Sequence, residues 1–339
     1  MIVYVTTRKH ADTLGIQLHY FPGRLADSVR LVPYEFLYAL AELPTATYIF
    51  TDFDRLRSED LDRAGIIADR LVAAGMPVLN HPRRTLFRFD LLRRLHSLGA
   101  NDYNVHRLAE WRDVRRYPVF IRRERDHLGP RSELLGDKTE LSLAVDRFRS
   151  VEGAEDLMIV EFANAPFSDG RYRKFGLQRI GDRYFHQHCY VTPDWLGKGI
   201  PAKLSDTDRR EGRSVIRQNP NVEQLRQVFE IAGVEYGRMD YAMLNGRPQV
   251  FEINTNPTII SPPYARDKTI NSQFFAEQHE AEMLPLANVS GSPIAMPPDL
   301  AKSGRKLSVD QAHARTLSLT LLRMKYVSAR KRISRLIKR

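Results

Sequence analysis

Short apolar runs alternate with stretches of helical period over the first hundred residues. MIVYV, residues 1–5, reads as a strand, VPYEFLYALAEL as a helix, and ATYIFTDFD as a second strand that ends in acidic residues. SEDLDRAGIIADRLVAAG has the pattern of an amphipathic helix, with Ser58 as N-cap and Gly75 as C-cap, and runs into the strand MPVLN. Strand, helix, strand, helix, strand predicts an α/β layer. A further helix, RFDLLRRLHSLG, ends at Gly99, and these elements set an expected N-terminal lobe at residues 1–104.

The next region has a different rhythm. YPVFIRR, residues 117–123, starts a strand, and the loop RERDHLGPRSE separates it from a helix over 139–150. LMIVEFAN, YRKFGLQRIG and RYFHQHCYV are three β candidates separated by DG and GD turns, and NVEQLRQVFEIAGV is helical. The run from Tyr236, YGRMDYAMLNGRPQVFEINTNP, reads as a hairpin turning at Asn245-Gly246. Residues 105–262 are expected to form one region and 263–289 a helical extension. Residues 290–339 are expected to be a Ser- and Pro-rich linker, SGSPIAMPPDLAKS, followed by a tail.

The hairpin carries polar residues where strands are otherwise apolar. Alternation puts Glu252 and Asn254 on one face, with Phe251 and Ile253 on the other. A plain two-residue turn pairs Leu244 with Arg247 and leaves Asp240 opposite Phe251, so the two carboxylates face apart. A three-residue loop with a bulge pairs Asp240 directly with Glu252, and Pro248, which has no ladder donor, fits such an irregularity. The bulged pairing is the expectation. Two adjacent carboxylates repel and raise each other's pKa unless a cation sits between them. Such hard oxygen ligands favour Mg2+ or Mn2+ over Zn2+, and Mg2+ held by one or two carboxylates commonly awaits a nucleotide phosphate. Solvent-facing positions on an edge hairpin are the plain alternative.

Asp240 in GRMDYAML, followed by the ExN pattern of Glu252 and Asn254, resembles the metal-binding end of the ATP-grasp superfamily. Its members include D-alanine-D-alanine ligase, glutathione synthetase and the RimK-type glutamate ligases. The resemblance implies an α/β, ATP-grasp fold with a Rossmann-like N-terminal lobe. It also implies Asp240, Glu252 and Asn254 as ligands of magnesium ions that bridge ATP phosphates. Arg238 matches an arginine that steadies the phosphorylated intermediate. Upstream, YPVFIRRERDHLGPRSELL falls where the family carries a phosphate-binding lysine and a glycine-containing loop; here Arg122 takes the lysine position, and the loop holds His127 and Gly129. Arginine holds phosphate bidentately rather than as a point charge. VEFAN, residues 160–164, resembles the hinge that binds adenine, which implies Glu161 for the ribose and Phe162 beside it. Arg173 and Lys174 fall where a basic residue reaches the triphosphate. The implied activity is ATP-dependent, Mg2+-dependent ligation of a carboxylate to an amine or thiol through an acylphosphate, with Arg122, Lys174 and Arg238 as catalytic cations. The replaced lysine and sparse glycine leave a nucleotide-binding protein without ligase activity as the other reading.

Charge changes this picture only at the end of the chain. The net charge is +11, yet from Lys302 to Arg339 there are twelve Lys and Arg against one acidic residue, Asp310, and the remaining 301 residues hold 40 of each sign. The body is neutral, so nucleic acid is the less favoured partner. Leu319, Leu322, Tyr326, Ala329, Ile333 and Leu336 recur at spacings of three and four among the cations. Residues 304–339 are expected either to pack this stripe on the body or to meet an anionic membrane surface or a protein partner. His186 and His188 are expected on one strand face, without a third ligand that would make a zinc site. The single Cys189 has no disulfide partner and suits a reducing compartment. No segment approaches the ~20 apolar residues of a membrane span, and the N-terminus lacks the pattern of a secretory signal. A cytoplasmic location is expected, with peripheral membrane association through the tail as an alternative. The expected substrate is a small molecule or peptide bearing a carboxylate, and a homo-oligomer is left open.

Overall fold

The computed structural model describes residues 1–126, 128–196, 205–261, 265–266, 270–298, 300 and 306–337, with backbone alone at 270–271 and from 325 onward. The chain divides into two units, Met1–Arg83 with Thr255–Arg339, and Arg84–Asn254. The boundaries expected at 104 and 262 therefore move. The helix that begins at Arg88 gives Phe89, Leu91, Leu92 and Leu95 to the core of the second unit, and the chain beyond Asn254 rejoins the first.

The first unit opens with β1 (Ile2–Thr6), α1 (Asp12–Tyr20), β2 (Val29–Pro33), the two-residue β3 (Glu42–Leu43), β4 (Thr47–Phe50), α2 (Ser58–Ala73) and β5 (Val78–Leu79). Four strands form a parallel sheet in the order β2-β1-β4-β5, with Ile2 aligned to Val29 on one side and to Thr47 on the other. A parallel sheet covered on both faces has continuous apolar strands, and every residue of β1 is buried. α2 turns Ile67, Ala68 and Leu71 inward and ends before Gly75, whose φ of +76° suits the left-handed position past a helix. Its N-cap is Arg57 rather than Ser58, and no side chain caps it. The helix expected over residues 32–43 shrinks to the single turn Tyr34–Leu37. Pro33 explains only the later start, because the residue before a proline is driven to extended backbone, which keeps Val32 in β2.

The second unit begins with α3 (Arg88–Ser97). β6 (Val105–Arg107), β7 (Val119–Arg123) and β8 (Leu157–Glu161) form an antiparallel sheet in the order β6-β8-β7. α4 (Lys138–Arg149) is capped by Asp137, which accepts from the Thr139 and Glu140 backbone N–H groups, and packs Leu141 and Val145 with Val119, Ile121 and Ile159. β9 (Tyr172–Ile180), β10 (Arg183–Thr192) and β11 (Tyr236–Leu244), with β12 (Arg247–Asn254), form a second antiparallel sheet ordered β10-β9-β11-β12. Between β10 and β11 run α5 (Asp206–Gln218) and α6 (Val222–Ala232). Phe175, Leu177, Met239, Tyr241 and Val250 make the apolar face of the second sheet, packed with α3 and with Leu225, Val228 and Phe229 of α6.

A buried polar knot fastens the returning chain to the first sheet. Asp52, held at φ +58°, accepts from Thr6 Oγ1 at 2.7 Å, Thr7 N at 2.9 Å and Asn256 Nδ2 at 2.9 Å, while its own N–H donates to Thr255 Oγ1. Tyr4 donates to Asn256 Oδ1 at 2.9 Å. α7 (Ile270–Met283) follows. The stretch expected as a linker instead carries β13 (Ile294–Ala295), paired with β3, and buries Met296 and Leu300. Among the described side chains of α8 (Val309–Ile337) the buried ones are Ala312, Thr316 and Thr320, and His313 Nδ1 accepts the Leu31 N–H of edge strand β2 at 2.9 Å. The described part of the helix thus packs on its own unit, and the two described members of the expected stripe, Leu319 and Leu322, are 44% and 63% exposed. The stripe residues beyond Met324 lie outside the described side chains. Leu319, Thr320 and Arg323 also wall a cavity of about 570 Å³, lined from the other side by Thr7, Arg8 and Glu35. Among the described residues no helix is long and apolar enough to cross a membrane.

Candidate active site

Strand register assembles the site within the second unit. The hairpin turns on Asn245 and Gly246, both at positive φ, so Leu244 pairs with Arg247 in a two-residue turn. The irregularity expected in the loop lies instead inside β12. The register shifts between Asp240 and Tyr241, which leaves Phe251 unmatched and sets Asp240 opposite Glu252 and Arg238 opposite Asn254. Asp240, Glu252 and Asn254 therefore share the polar face, as the spacing predicted. Residues aligned across antiparallel strands point to the same side.

Four cations close on the two carboxylates. Lys174 Nζ lies 3.2 Å from Asp240 Oδ2, and Arg238 Nε donates to Asp240 Oδ1 at 3.2 Å. Glu252 is bound by Arg88 and has Arg122 Nη2 at 3.5 Å. Arg88, the first residue of α3, was not singled out in the sequence; it also donates to the Glu124 and Asp126 carbonyls, which ties the end of β7 to the site. Burial, and then the neighbouring Arg88, lowers the Arg122 guanidinium to about 10, so it stays charged at neutral pH. Burial is the largest single influence on Arg238 and lowers it, but Asp240, Tyr190 and Glu252 together raise it above its ordinary value. Among the described residues the four cations outnumber the two carboxylates they bind, an excess that suits a polyanion.

The remaining candidates scatter. Arg173 turns away from Lys174, to Glu211 of α5 and to Asp169. Glu161 accepts from the Asn104 N–H at 2.9 Å and has His106 Nε2 at 3.4 Å, so its carboxylate is engaged apart from the Asp240–Glu252 pair. Burial would raise its pKa, but the His106 and Asn104 hydrogen bonds prevail and lower it. Phe162 meets Trp195 edge to face at 5.5 Å, and Phe120 lies 5.1 Å from the same indole, an aromatic group to which Trp195 adds a member the sequence did not announce. Gly129 has φ +94°, and His127 lies outside the described residues. His186 and His188 do not share a face. A bulge at Gln187 sends His186 to Tyr241 on the core side, at 2.8 Å, and leaves His188 opposite Gly176 on the polar side. Burial, then Arg238 and Lys174, holds the His188 pKa well below the usual imidazole range.

Two carboxylates side by side with an amide in the next row fit a hard divalent cation in kind. Among the described residues no three His, Cys, Asp or Glu side chains converge as a metal site, so the set depends on Asn254 as its third member. No protein-family model matches the chain, and no curated protein does. The chain is similar to several solved structures. One is the RimK domain protein ATP-grasp from Sphaerobacter thermophilus (14% identity, 82% of this chain and 98% of that one, TM-score 0.43). Another is D-alanine-D-alanine ligase from Bacillus anthracis complexed with ATP (12%, 85% and 98%, 0.46). A third is N5-carboxyaminoimidazole ribonucleotide synthetase from Thermus thermophilus (14%, 87% and 81%, 0.46).

Proposed function

We propose that the chain is an ATP-grasp ligase that uses ATP and Mg2+ or Mn2+ to join a substrate carboxylate to an amine or thiol. The observation that carries this reading is the aligned pair Asp240 and Glu252, with Asn254 one row on, ringed by Arg88, Arg122, Lys174 and Arg238. A divalent ion bound by Asp240, Glu252 and Asn254 would supply neutralisation of the phosphate charge. The protein's own cations supply the rest. Arg122, Arg88 and Lys174 bind and orient the terminal phosphates, and their fixed charges stabilise the negative charge that spreads over the equatorial oxygens. A substrate carboxylate oxygen bonds to the γ-phosphorus while the bond to the β–γ bridging oxygen breaks, releasing ADP. An amine then bonds to the acyl carbon, the carbon–oxygen bond to phosphate breaks, and the amine gives up a proton. Arg238, beside Asp240, holds the phosphoryl oxygens between the two steps. Phe120, Phe162 and Trp195 offer apolar faces for the adenine.

Calorimetry with ATP, with and without Mg2+, on wild type and Glu252→Gln tests this reading, followed by ADP release in mixed amino acids and cell extract. Metal-dependent binding that weakens at least ~100-fold in the variant, a loss of about 2.7 kcal/mol, is expected, together with extract-stimulated ADP release by wild type. Wild-type turnover in Glu252→Gln removes the metal assignment. Tight binding without ADP release moves the protein to nucleotide binding alone, the reading that Arg122 in place of a lysine favours.

A further inference from the structure

The cavity of about 570 Å³ in the first unit opens at the ends of the parallel strands. From β1 the chain steps to β2 on one side and later to β4 on the other, so the strand order reverses between β1 and β4. Open α/β sheets take ligands outside the carboxyl ends of their strands at such a reversal. Arg8 and Lys9 follow β1, Glu35 follows β2, Arg55 and Arg57 follow β4, and all five line the cavity. Its volume falls within the ~300–1,000 Å³ of pockets that hold small molecules.

Charge sorts this lining. Arg55 is held by Asp52 at 3.1 Å and by His10 at 2.9 Å, and Arg8 stands 3.9 Å from Glu35. Lys9, Arg57 and Arg323 are exposed to the solvent and, among the described residues, form no ion pair. They come from three separate segments, and Arg323 of α8 donates to the Lys9 carbonyl, which sets the cation of the tail helix beside the loop after β1. Asp12 and Asp60 add two carboxylates to the same lining. The Tyr34 and Tyr38 hydroxyls donate to the Thr51 and Asp60 carbonyls, at 2.7 and 2.8 Å, which leaves the charged side chains as the main open polar groups.

A phosphate ester has the matching chemistry. Three cations without an acidic partner exceed what the single charge of a carboxylate neutralises, whereas a phosphate monoester brings about 1.5 to 2 negative charges and three acceptor oxygens. Arginine forks bind those oxygens bidentately. Ionised carboxylates such as Asp12 and Asp60 only accept hydrogen bonds, so they call for a donor on the same ligand, a hydroxyl or an ammonium. We propose that the cavity binds a small phosphate monoester that also carries hydroxyl or ammonium donors, with α8 as one wall of the site. The site draws on residues of the first unit alone and does not depend on the ligase reading.

Calorimetry on the full chain tests this with glucose 6-phosphate and phosphoethanolamine, set against inorganic phosphate, glucose and ethanolamine. At least one of the two esters is expected to bind ~10-fold or more tightly than inorganic phosphate and than its own phosphate-free parent. Glucose 6-phosphate meets the expectation through hydroxyl donors and phosphoethanolamine through ammonium, so the ester that binds identifies the donor. Arg57→Gln and Arg323→Gln, both at exposed positions, are each expected to weaken that binding at least ~10-fold. Inorganic phosphate that binds as tightly as the esters reduces the cavity to an unselective basic patch and overturns the proposal. Ester binding that survives either arginine change belongs to cations elsewhere in the chain and overturns it too, as does the absence of heat from every probe at ~10 mM.

Discussion

Gly176 shows how one missing side chain organises the site. Its position lets the His188 ring lie between β10 and the Asp240 strand, and Gly176→Ala drives a methyl into a ring pinned against Tyr190. Overpacking of this kind costs ~1–3 kcal/mol, and urea unfolding of the single variant should show that loss. Combining it with His188→Ala should recover most of it; a double variant whose losses simply add would disprove the contact. Arg88 is the opposite case, a residue whose value lies in its many donors. It binds Glu252 and also donates to the Glu124 and Asp126 carbonyls, so Arg88→Lys, which keeps the charge but not the fork, is expected to lose ~1–3 kcal/mol of stability. Nothing in RFDLLRR separates Arg88 from the arginines around it, because only tertiary packing brings the start of α3 to β12. The shared face of Glu252 and Asn254 was legible for the converse reason, since strand alternation is local.

At the scale of elements, periodicity located most helices and strands but not their irregularities. The Asn-Gly turn was readable because both residues tolerate positive φ, whereas the bulge at Phe251 carries no residue signature, and the expectation placed it in the loop. The same limit hid the bulge at Gln187, and with it the separation of His186 from His188. In α8 the helix was legible and its inner face was not. Leucine spacing marked Leu319 and Leu322, while close packing chose the smaller Ala312, Thr316 and Thr320. Leu322→Ser should therefore stay within ~0.5 kcal/mol of wild type, whereas Thr316→Arg should cost more than ~2 kcal/mol; the reverse order in urea unfolding would put the leucine stripe inside. His313 makes this packing acid-sensitive. It accepts the Leu31 N–H and must be neutral to do so, and burial, then Arg30, lowers its pKa to about 4 from an unfolded value near ~6.5. The unfolded chain then binds a proton first as the pH falls, so the stability His313 contributes is full above pH ~6.5 and is lost toward pH ~4. Wild type should lose on the order of 1–2 kcal/mol more than His313→Gln between pH 7 and pH 4, discounted for the water that reaches the ring. Parallel pH profiles for the two proteins would dismiss the linkage.

For the whole molecule, the organisation by chain order was the least legible part. Composition and turn signals suggest successive lobes, but the residues after Asn254 rejoin the first unit through Thr255 and Asn256, which hydrogen-bond Asp52, a contact between positions about two hundred residues apart that no local pattern announces. One consequence separates the two divisions experimentally. The segment Arg84–Asn254 contains α3, both antiparallel sheets and their shared core, and it holds Arg88, Arg122, Lys174, Arg238, Asp240, Glu252 and Asn254 together. Expressed alone, it should unfold in one cooperative urea transition and bind ATP in a metal-dependent way, within ~10-fold of the full chain. A fragment cut at the boundaries expected from the sequence, residues 105–262, loses Phe89, Leu91, Leu92 and Leu95 from that core and Arg88 from Glu252. Four apolar side chains removed from one core forfeit several kcal/mol, comparable to the stability of a typical domain, so this fragment should show no cooperative transition. If 105–262 folds as well as 84–254, α3 is an accessory to the second unit rather than part of it, and the Arg88 contact to Glu252 is dispensable to the site.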